Sequence, residues 1–334
     1  MTNTFNGLSV ERFAQKTYTP RETTSGVCFF ARRKLSIRLD CTQDELVIIQ
    51  RNPHSGSGTG RSQLRILSRH LRDAGFRVRM FSSRPKLDRY LTEKPAERIL
   101  RCIVAAGGDG TVADLVNRQP GVPIAVLPLG TENLLAKYLG LRRCGRKLAE
   151  IIQRGQVKVF DSAIVNGRRT LLMVSVGIDA EIVEAVHKVR SGNIHRLSYV
   201  RPVLRALLKN QPTTYRVVSS DGSHNASGSH IIVTNVPRYG FDIPFAPEAR
   251  PDDGVLDVRI FHGTTRWQVF CHAVKLRLGL PIGQKEFTRF SASAVRIECL
   301  DVTASRTSQC DGDPGPELPL QIETDPHSLT LIVP

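Results

Sequence analysis

The sequence predicts an α/β protein in two parts: an N-terminal doubly wound nucleotide-binding domain and a C-terminal half that is mostly antiparallel β. Three observations carry this. Up to about residue 150, short apolar runs alternate with segments of helical period, the rhythm of a parallel sheet wrapped by helices. Three of those apolar runs end in loops of glycine and small polar residues, at the strand ends where such folds bind ligands. After Arg154 the rhythm changes. Strand-like residues 156–165, the pair Asn166-Gly167 and residues 169–176 read as a hairpin with a primed turn.

Residues 1–43 show no clear period and are expected to form a loose extension. The first domain then spans residues 44–155. Its elements are a strand at 46–50, a helix at 61–74 with Leu64, Leu67, Leu71 and Ala74 on one face, a strand at 76–81 and a short helix at 86–93. The apolar run 99–106 reads as a buried parallel strand and leads into Gly107-Gly108-Asp109-Gly110-Thr111. Thr111 is the expected N-cap of a helix at 111–118, with Val112, Leu115 and Val116 on its inner face. A strand at 123–127, the loop Pro128-Leu129-Gly130-Thr131-Glu132-Asn133 and a helix at 134–139 follow. In residues 156–334, further strands are expected at 213–219, 230–236, 255–261, 295–300 and 328–333. Helices are expected near 179–189, 200–208 and 265–278, and the last strand is allowed to return to the first domain.

Strand, glycine turn and helix start together present backbone N–H groups to a phosphate. A carboxylate among those glycines would repel phosphate unless a cation lies between them or the acid handles a proton. Asp109 therefore points to a metal-bound nucleoside triphosphate and phosphoryl transfer, against the plainer reading of a tight turn with a capping aspartate. In the loop 52–58, Asn52 can brace a turn while Ser55, Gly56 and Gly58 let amides approach phosphate; the plainer reading is a connector. Gly130, Thr131 and Asn133 precede a helix whose N-terminus favours an anion, and Glu132 either caps that helix or narrows the nucleotide site. The chain has neither a Gly-x-x-x-x-Gly-Lys-Ser/Thr run nor a Gly-x-Gly-x-x-Gly run after a strand, which disfavours P-loop ATPases and dinucleotide oxidoreductases.

A formal net charge of +16 implies anionic partners: nucleic acid, an acidic membrane surface or phosphorylated ligands. Aromatic content is 6%, with no basic stretch interleaved with aromatics, so specific nucleic-acid recognition is not expected. The seven cysteines form no C-x-x-C pair and suggest free thiols in a reducing compartment. The apolar piece 27–31 is too short for a signal core, and no apolar run approaches a membrane span. The expectation is a cytoplasmic protein that visits the membrane surface, with a homodimer left open. Arg142, Arg143, Arg146 and Lys147, and again Arg196, Arg201, Arg205 and Lys209, read either as solvated helix faces or as contacts to an anionic bilayer.

Five segments in order resemble the diacylglycerol kinase catalytic domain family, which includes sphingosine and ceramide kinases and small bacterial lipid kinases. They are Asn52 to Gly58, Gly107 to Thr111, Pro128 to Asn133, Pro251-Asp252-Asp253-Gly254-Val255-Leu256-Asp257, and Asp311-Gly312-Asp313. The resemblance implies a C-terminal β-sandwich, with ATP and a lipid headgroup meeting between the two domains. It implies a divalent cation, Mg²⁺ for the nucleotide, and a bound cation near Asp252, Asp253 and Asp257. It also implies that the acid ending the last motif accepts or orients the proton of the lipid hydroxyl. The family usually has glutamate there; Asp313 is one methylene shorter, so either its loop has moved, or activity is reduced, or Asp109 takes the proton. Asp311, Asp313 and Asp109 are thus the candidate catalytic acids. The segment 174–180 resembles a strand-to-helix junction near the cleft with Asp179 as N-cap, and Asp161 also matches a family aspartate.

The expected activity is an ATP- and Mg²⁺-dependent lipid kinase acting on a hydroxyl of a diacylglycerol-like or sphingoid lipid. Two alternatives stay open: a kinase for NAD or another small molecule, and a non-catalytic nucleotide sensor or basic nucleic-acid-binding protein. NAD kinases share the Gly-Gly-Asp-Gly-Thr loop, but this chain has no Gly-Ser-Thr-Ala-Tyr segment in its second half.

Overall fold

The computed structural model describes residues 36–38, 45–53, 60–93, 99–119, 121–188, 213–262, 265–280, 287–301 and 306–334. Ser55, Gly56 and Gly58, the basic residues Arg196, Arg201, Arg205 and Lys209, and the helix expected at 200–208 lie outside the described residues. Within the stretch expected to be a loose extension, Ser36–Arg38 forms β1, antiparallel to the later strand β6 (Gln156–Val165).

Four parallel strands build the first domain: β2 (Leu46–Arg51), β3 (Arg77–Phe81), β4 (Leu100–Gly107) and β5 (Ile124–Pro128), in the order β5-β4-β2-β3. Central β2 and β4 are mostly apolar because both of their faces are covered, with Gln50 and Arg101 as their buried polar members, whereas β3 lies at the edge and carries Arg77 and Arg79. Helices α1 (Gly60–Asp73), α2 (Arg84–Glu93), α3 (Asp109–Arg118), α4 (Leu134–Tyr138) and α5 (Gly145–Arg154) connect them. Each long helix turns one stripe inward: Leu64, Leu67 and Leu71 from α1, and Leu148, Ile151 and Ile152 from α5. The chain leaves β2 toward β3 on one side and returns to β4 on the other. The loops after β2 and β4 therefore diverge, and the crevice between them is the topological switch point of the sheet.

The second half continues with β7 (Arg168–Thr170), β8 (Met173–Val176), α6 (Ile178–Lys188), β9 (Tyr215–Ser219), β10 (Asn225–Gly228), β11 (His230–Thr234), β12 (Arg238–Tyr239), β13 (Ile243–Pro244) and β14 (Leu256–Phe261). It ends with α7 (Arg266–Arg277), β15 (Phe287–Ala292), β16 (Ala294–Cys299), β17 (Ser308–Cys310), β18 (Asp313–Pro314) and β19 (Leu320–Ile332). The primed turn is present, with Asn166 at φ 46° and Gly167 at φ 84°. The strand expected at 169–176 is broken at Leu171 and Leu172, where the chain passes from the sheet of β7 to the sheet of β8.

Two sheets face each other as a sandwich. One runs β15-β14-β11-β8-β17-β18, and the other contains β10-β9-β16-β19 together with β6 and β7. Val174, Val176, Ile231, Val233, Val258 and Ile260 on the first sheet meet Val165, Val217, Val295, Ile297, Leu320 and Ile322 on the second. The long strand β19 is hydrogen-bonded antiparallel to β16 and β6, and near its end runs parallel to β5 at Leu331. It thereby merges the second sheet of the sandwich with the parallel sheet. Its Leu320 and Ile322 lie in the sandwich core, whereas Leu329, Leu331 and Ile332 lie in the core of the first domain.

Candidate active site

The apolar strand β4 delivers Gly107-Gly108-Asp109-Gly110-Thr111 to the switch-point crevice. Helix α3 begins at Asp109, two residues before the expected start, and its N-cap is Gly108 in extended conformation; Thr111 is buried within the first turn and is not the cap. The Thr111 and Val112 amides bond back to Gly108 O at 2.9 and 3.4 Å, whereas those of Asp109 and Gly110, at the open end of the helix, have no acceptor inside it. Asn52, just after β2, donates from its side chain to Thr111 Oγ1 at 3.3 Å and from its backbone to Ala106 O at 3.1 Å, which ties the first loop to the glycine loop.

The loop after β5 packs directly on the same corner. Leu129 and Gly130 both donate backbone N–H to Gly107 O, at 2.8 and 3.3 Å. A methyl group on Gly130 would lie 2.5 Å from Gly108 Cα, so only glycine permits this approach. Asn133, held left-handed at φ 52°, closes the loop on itself: its Oδ1 accepts from Gly130 N at 2.9 Å and its Nδ2 donates to Gly130 O at 2.7 Å. Thr131 lies in the same loop but is not the N-cap; Asn133 holds that position.

The anion expected at the start of α4 is supplied by the chain itself. Leu134 and Leu135 donate to the two oxygens of Asp109 at 2.8 and 3.1 Å. Burial pushes the Asp109 carboxyl above its usual range, against the pull of those two amides. Asp109 thus couples the two glycine loops. Glu132 lies 3.7 Å from Lys137 Nζ, and the N-cap position of α4 belongs to Asn133.

The third component arrives from the sandwich. Asp311 and Gly312, at φ 55° and 84°, turn β17 into β18 and carry Asp313 to the glycine corner. A methyl group on Gly110 would lie 3.4 Å from Asp313 Oδ2, so this carboxylate stands beside the first turn of α3. Asp311 has a different position. Its carboxylate accepts three consecutive amides, from Leu171 at 2.9 Å, Leu172 at 2.8 Å and Met173 at 3.1 Å, at the place where β7 breaks from β8. Its pKa is pushed up to about 6, chiefly by burial and in lesser part by the neighbouring charge of Asp109. Asp311 therefore shapes the loop, and of the two acids only Asp313 faces the crevice.

A buried polar group missed in the sequence secures that loop. Gln309 Oε1 accepts from Gly312 N at 2.8 Å, and Gln309 Nε2 donates to Ser175 Oγ and Tyr239 OH, each at 2.9 Å. The Ser175 and Tyr239 hydroxyls both donate to the carboxylate of Asp179. Asp179 thus sits inside the first turn of α6 and is no N-cap. Burial and the adjacent Asp179 charge hold the Tyr239 phenol well above its usual range. Arg143 was also missed in this role: it donates to Pro128 O at 3.2 Å and Gly130 O at 3.3 Å, fixing the second glycine loop from behind. Arg146, from the same basic run, pairs with Glu150 at 3.8 Å.

The third acidic motif does not join this site. Asp252 pairs with Lys158 at 3.0 Å and Arg250 at 3.3 Å; burial opposes its ionisation, yet the two cations hold its carboxyl below the usual range. Asp253 Oδ1 accepts from Val255 N at 3.3 Å, and Asp257 Oδ1 accepts from Ser291 Oγ at 2.9 Å. Burial pushes Asp257 up. Asp161, almost wholly buried, accepts Gly254 N at 2.7 Å and His327 N at 2.8 Å, and so bolts this turn to β6 and β19. Asp252 is already neutralised by lysine and arginine, so it does not fit a cation cage with Asp253 and Asp257. Among the described residues no group of three or more His, Cys, Asp or Glu side chains is arranged to hold a metal.

An α/β domain with a parallel sheet, continuous with an antiparallel β-sandwich and bearing a glycine-cornered, acid-flanked crevice, defines the class. Residues 46–165 match the model of the diacylglycerol kinase catalytic domain, and residues 172–333 match that of the YegS C-terminal NAD kinase beta sandwich-like domain. The chain belongs to the diacylglycerol kinase catalytic domain family. It is 31% identical over 159 residues to a Staphylococcus haemolyticus protein with the provisional name lipid kinase SH2167; the match covers 46% of this chain and spans about half, 52%, of that relative. A Staphylococcus aureus protein provisionally named lipid kinase SAR0780 is 25% identical over 232 residues, 68% of this chain and 75% of that one. The structure of a diacylglycerol kinase from Bacillus anthracis superposes with a TM-score of 0.65 at 21% identity, covering 88% of this chain and 98% of that one, which is a likeness of fold.

Proposed function

We propose that this protein is a lipid kinase that transfers the γ-phosphoryl group of MgATP to a hydroxyl of a diacylglycerol-like or sphingoid lipid. One observation carries the reading: the amides opening α3 and the Asp313 carboxylate flank the same residue, Gly110, at the switch point of the sheet. Phosphate oxygens fit the amide side, where the N-terminal end of a ten-residue helix favours negative charge. The glycines at 107, 108 and 130 let the nucleotide approach the backbone, and Asn52 and Asn133 keep those loops in shape. Asp313 orients the acceptor hydroxyl and takes its proton as the oxygen attacks the γ-phosphorus and the bond to ADP breaks.

Magnesium enters this scheme as part of the MgATP substrate, since Asp109 and Asp311 beside the site already hold backbone amides. Asp109 is a positioning residue: both of its oxygens hold α4, so it is not the group that accepts the proton. The acceptor would be reached from the aqueous side of a bilayer. Among the described residues no helix is long and apolar enough to cross a membrane.

The test is a radiolabelled-ATP assay with purified full-length protein on total lipid extract and on a panel of soluble acceptors, with products separated by thin-layer chromatography. Magnesium-dependent label in a lipid is expected. Label in a soluble acceptor alone would replace this reading with a small-molecule kinase, and nucleotide binding without turnover would replace it with a sensor.

A further inference from the structure

Helix α7 is mounted with an apolar face outward. Its sequence is apolar on both sides: His272 and Leu276 pack inward against the Phe245 and Phe261 cluster, while Trp267, Phe270 and Val274 face solvent at 60, 37 and 42% exposure. Leu278 and Leu280 extend the stripe just past the helix at 67 and 51%. The spacing 267, 270, 274, 278 is that of a single helical face. Trp267 and Phe270 stack against each other with ring centroids 5.5 Å apart. Large exposed apolar side chains gathered on one face mark an interaction surface.

The mounting is rigid. Thr265 and Gln268 form a capping box at the start of α7, and Arg266 makes two hydrogen bonds to Glu181 of α6, at 2.7 and 3.0 Å, with both side chains nearly buried. Helix α6 in turn carries Asp179 in its first turn, and Asp179 belongs to the polar group that holds the Asp313 loop. The outward stripe is therefore fixed relative to the acceptor side of the crevice.

We infer that this face of α7 inserts into the headgroup boundary of an anionic phospholipid bilayer. The proposal rests on the lipid-kinase reading for its purpose, though not for its evidence. Charge selects the occupant. α7 contains no acidic residue, Lys275 and Arg277 flank the stripe on either side, and the whole chain carries +16. An outward apolar stripe with basic flanks and an aromatic pair at one end suits a helix lying in the plane of an anionic interface. Size argues against a second copy of the chain: about three turns of one helix face present roughly 16 Å by 10 Å, on the order of 160 Å², far below the ~800 Å² per partner of a stable dimer.

Trp267 is the only tryptophan in the sequence and reports directly on its own environment. Full-length protein is mixed with phosphatidylcholine vesicles with or without phosphatidylglycerol, in the absence of nucleotide. The expected result is a blue shift of tryptophan emission and co-sedimentation, both dependent on phosphatidylglycerol. Phe270→Ser with Val274→Ser should weaken vesicle binding at least tenfold and diminish the shift, and Lys275→Glu with Arg277→Glu should remove the preference for anionic lipid. Leu278→Ser, at the most exposed position, should weaken binding severalfold and serves if the double variants do not fold. Unchanged emission of the native protein on vesicles would overturn the proposal, as would variants that bind equally well. A concentration-dependent dimer in sedimentation velocity that Phe270→Ser with Val274→Ser converts to monomer would assign the face to a second copy instead. Turnover of a short-chain acceptor dispersed in detergent should be unaffected by these variants. Vesicle binding by a protein without kinase activity would sink the function proposed above and leave this surface standing.

Discussion

Two loops of this chain combine aspartate with glycine, and they have opposite fates. At Gly107 to Thr111 the acid bonds only backbone amides, the neighbouring glycines touch another loop backbone to backbone, and helix α3 opens toward a crevice. At Pro251 to Asp257 the acids meet Lys158, Arg250, Ser291 and Val255 N, and a buried aspartate from β6 clamps the turn. The first arrangement leaves donors facing outward for a ligand. The second consumes its charges internally. Composition is the same in kind; what differs is which groups the tertiary structure brings within hydrogen-bond reach of each carboxylate.

The comparison is broken most severely at Asp313. Asp313→Asn should lower kcat roughly a hundred- to ten-thousand-fold, the usual worth of a general base, with nucleotide affinity and melting temperature little changed; an active variant would remove the proton role. Next in size is Gly130→Ala, whose methyl would meet Gly108 Cα at 2.5 Å. Forcing the loops apart should destabilise by about 1–3 kcal/mol and weaken nucleotide binding, read by calorimetry and by titration with a fluorescent ATP analogue. Gln309→Ala should loosen the Asp313 loop and reduce kcat on the order of tenfold or more with a smaller change in KM for ATP, since displacements near 1 Å cost about a hundredfold.

Asp311 sharpens the comparison through pH. Folding raises its pKa above the ordinary value, to about 6, so the folded chain holds this proton more tightly than the unfolded chain does. The stabilisation that follows is complete below the unfolded value near 4 and is lost as pH rises through about 6. Asp311→Asn should abolish that slope in melting temperatures measured from pH 4 to 7, while costing about 1–3 kcal/mol because one amide of the Leu171–Met173 trio loses its acceptor. The smallest effect is expected from Asp252→Asn: at most about 1 kcal/mol of stability, and unchanged turnover at any magnesium concentration.

The parallel domain was the more legible part of the sequence because continuous apolar runs and helical stripes are local signals. The glycine corner was legible too, since only a few backbone geometries need glycine at positions 107, 108 and 130. The helix start was misplaced at Thr111 because a side-chain cap is the commoner device, and here Gly108 caps with its backbone alone. The break at Leu171 and Leu172 was illegible: it is imposed by a carboxylate 140 residues away at Asp311. The same holds for Gln309 with Tyr239, 70 residues apart, and for Asp109 reaching across to α4. The pattern Asp-Asp-Gly at 252–254 suggested a cation, and what it could not show is Lys158 reaching Asp252 from β6.

β19 has a mechanical consequence. A two-lobed enzyme whose halves are joined by thin linkers can close like a clamshell, swinging one body against the other. Here a single girder is riveted into both halves, with side chains planted in each interior. Any such swing would shear hydrogen-bonded neighbours apart. The spacing between the glycine corner and Asp313 is then set when the chain folds.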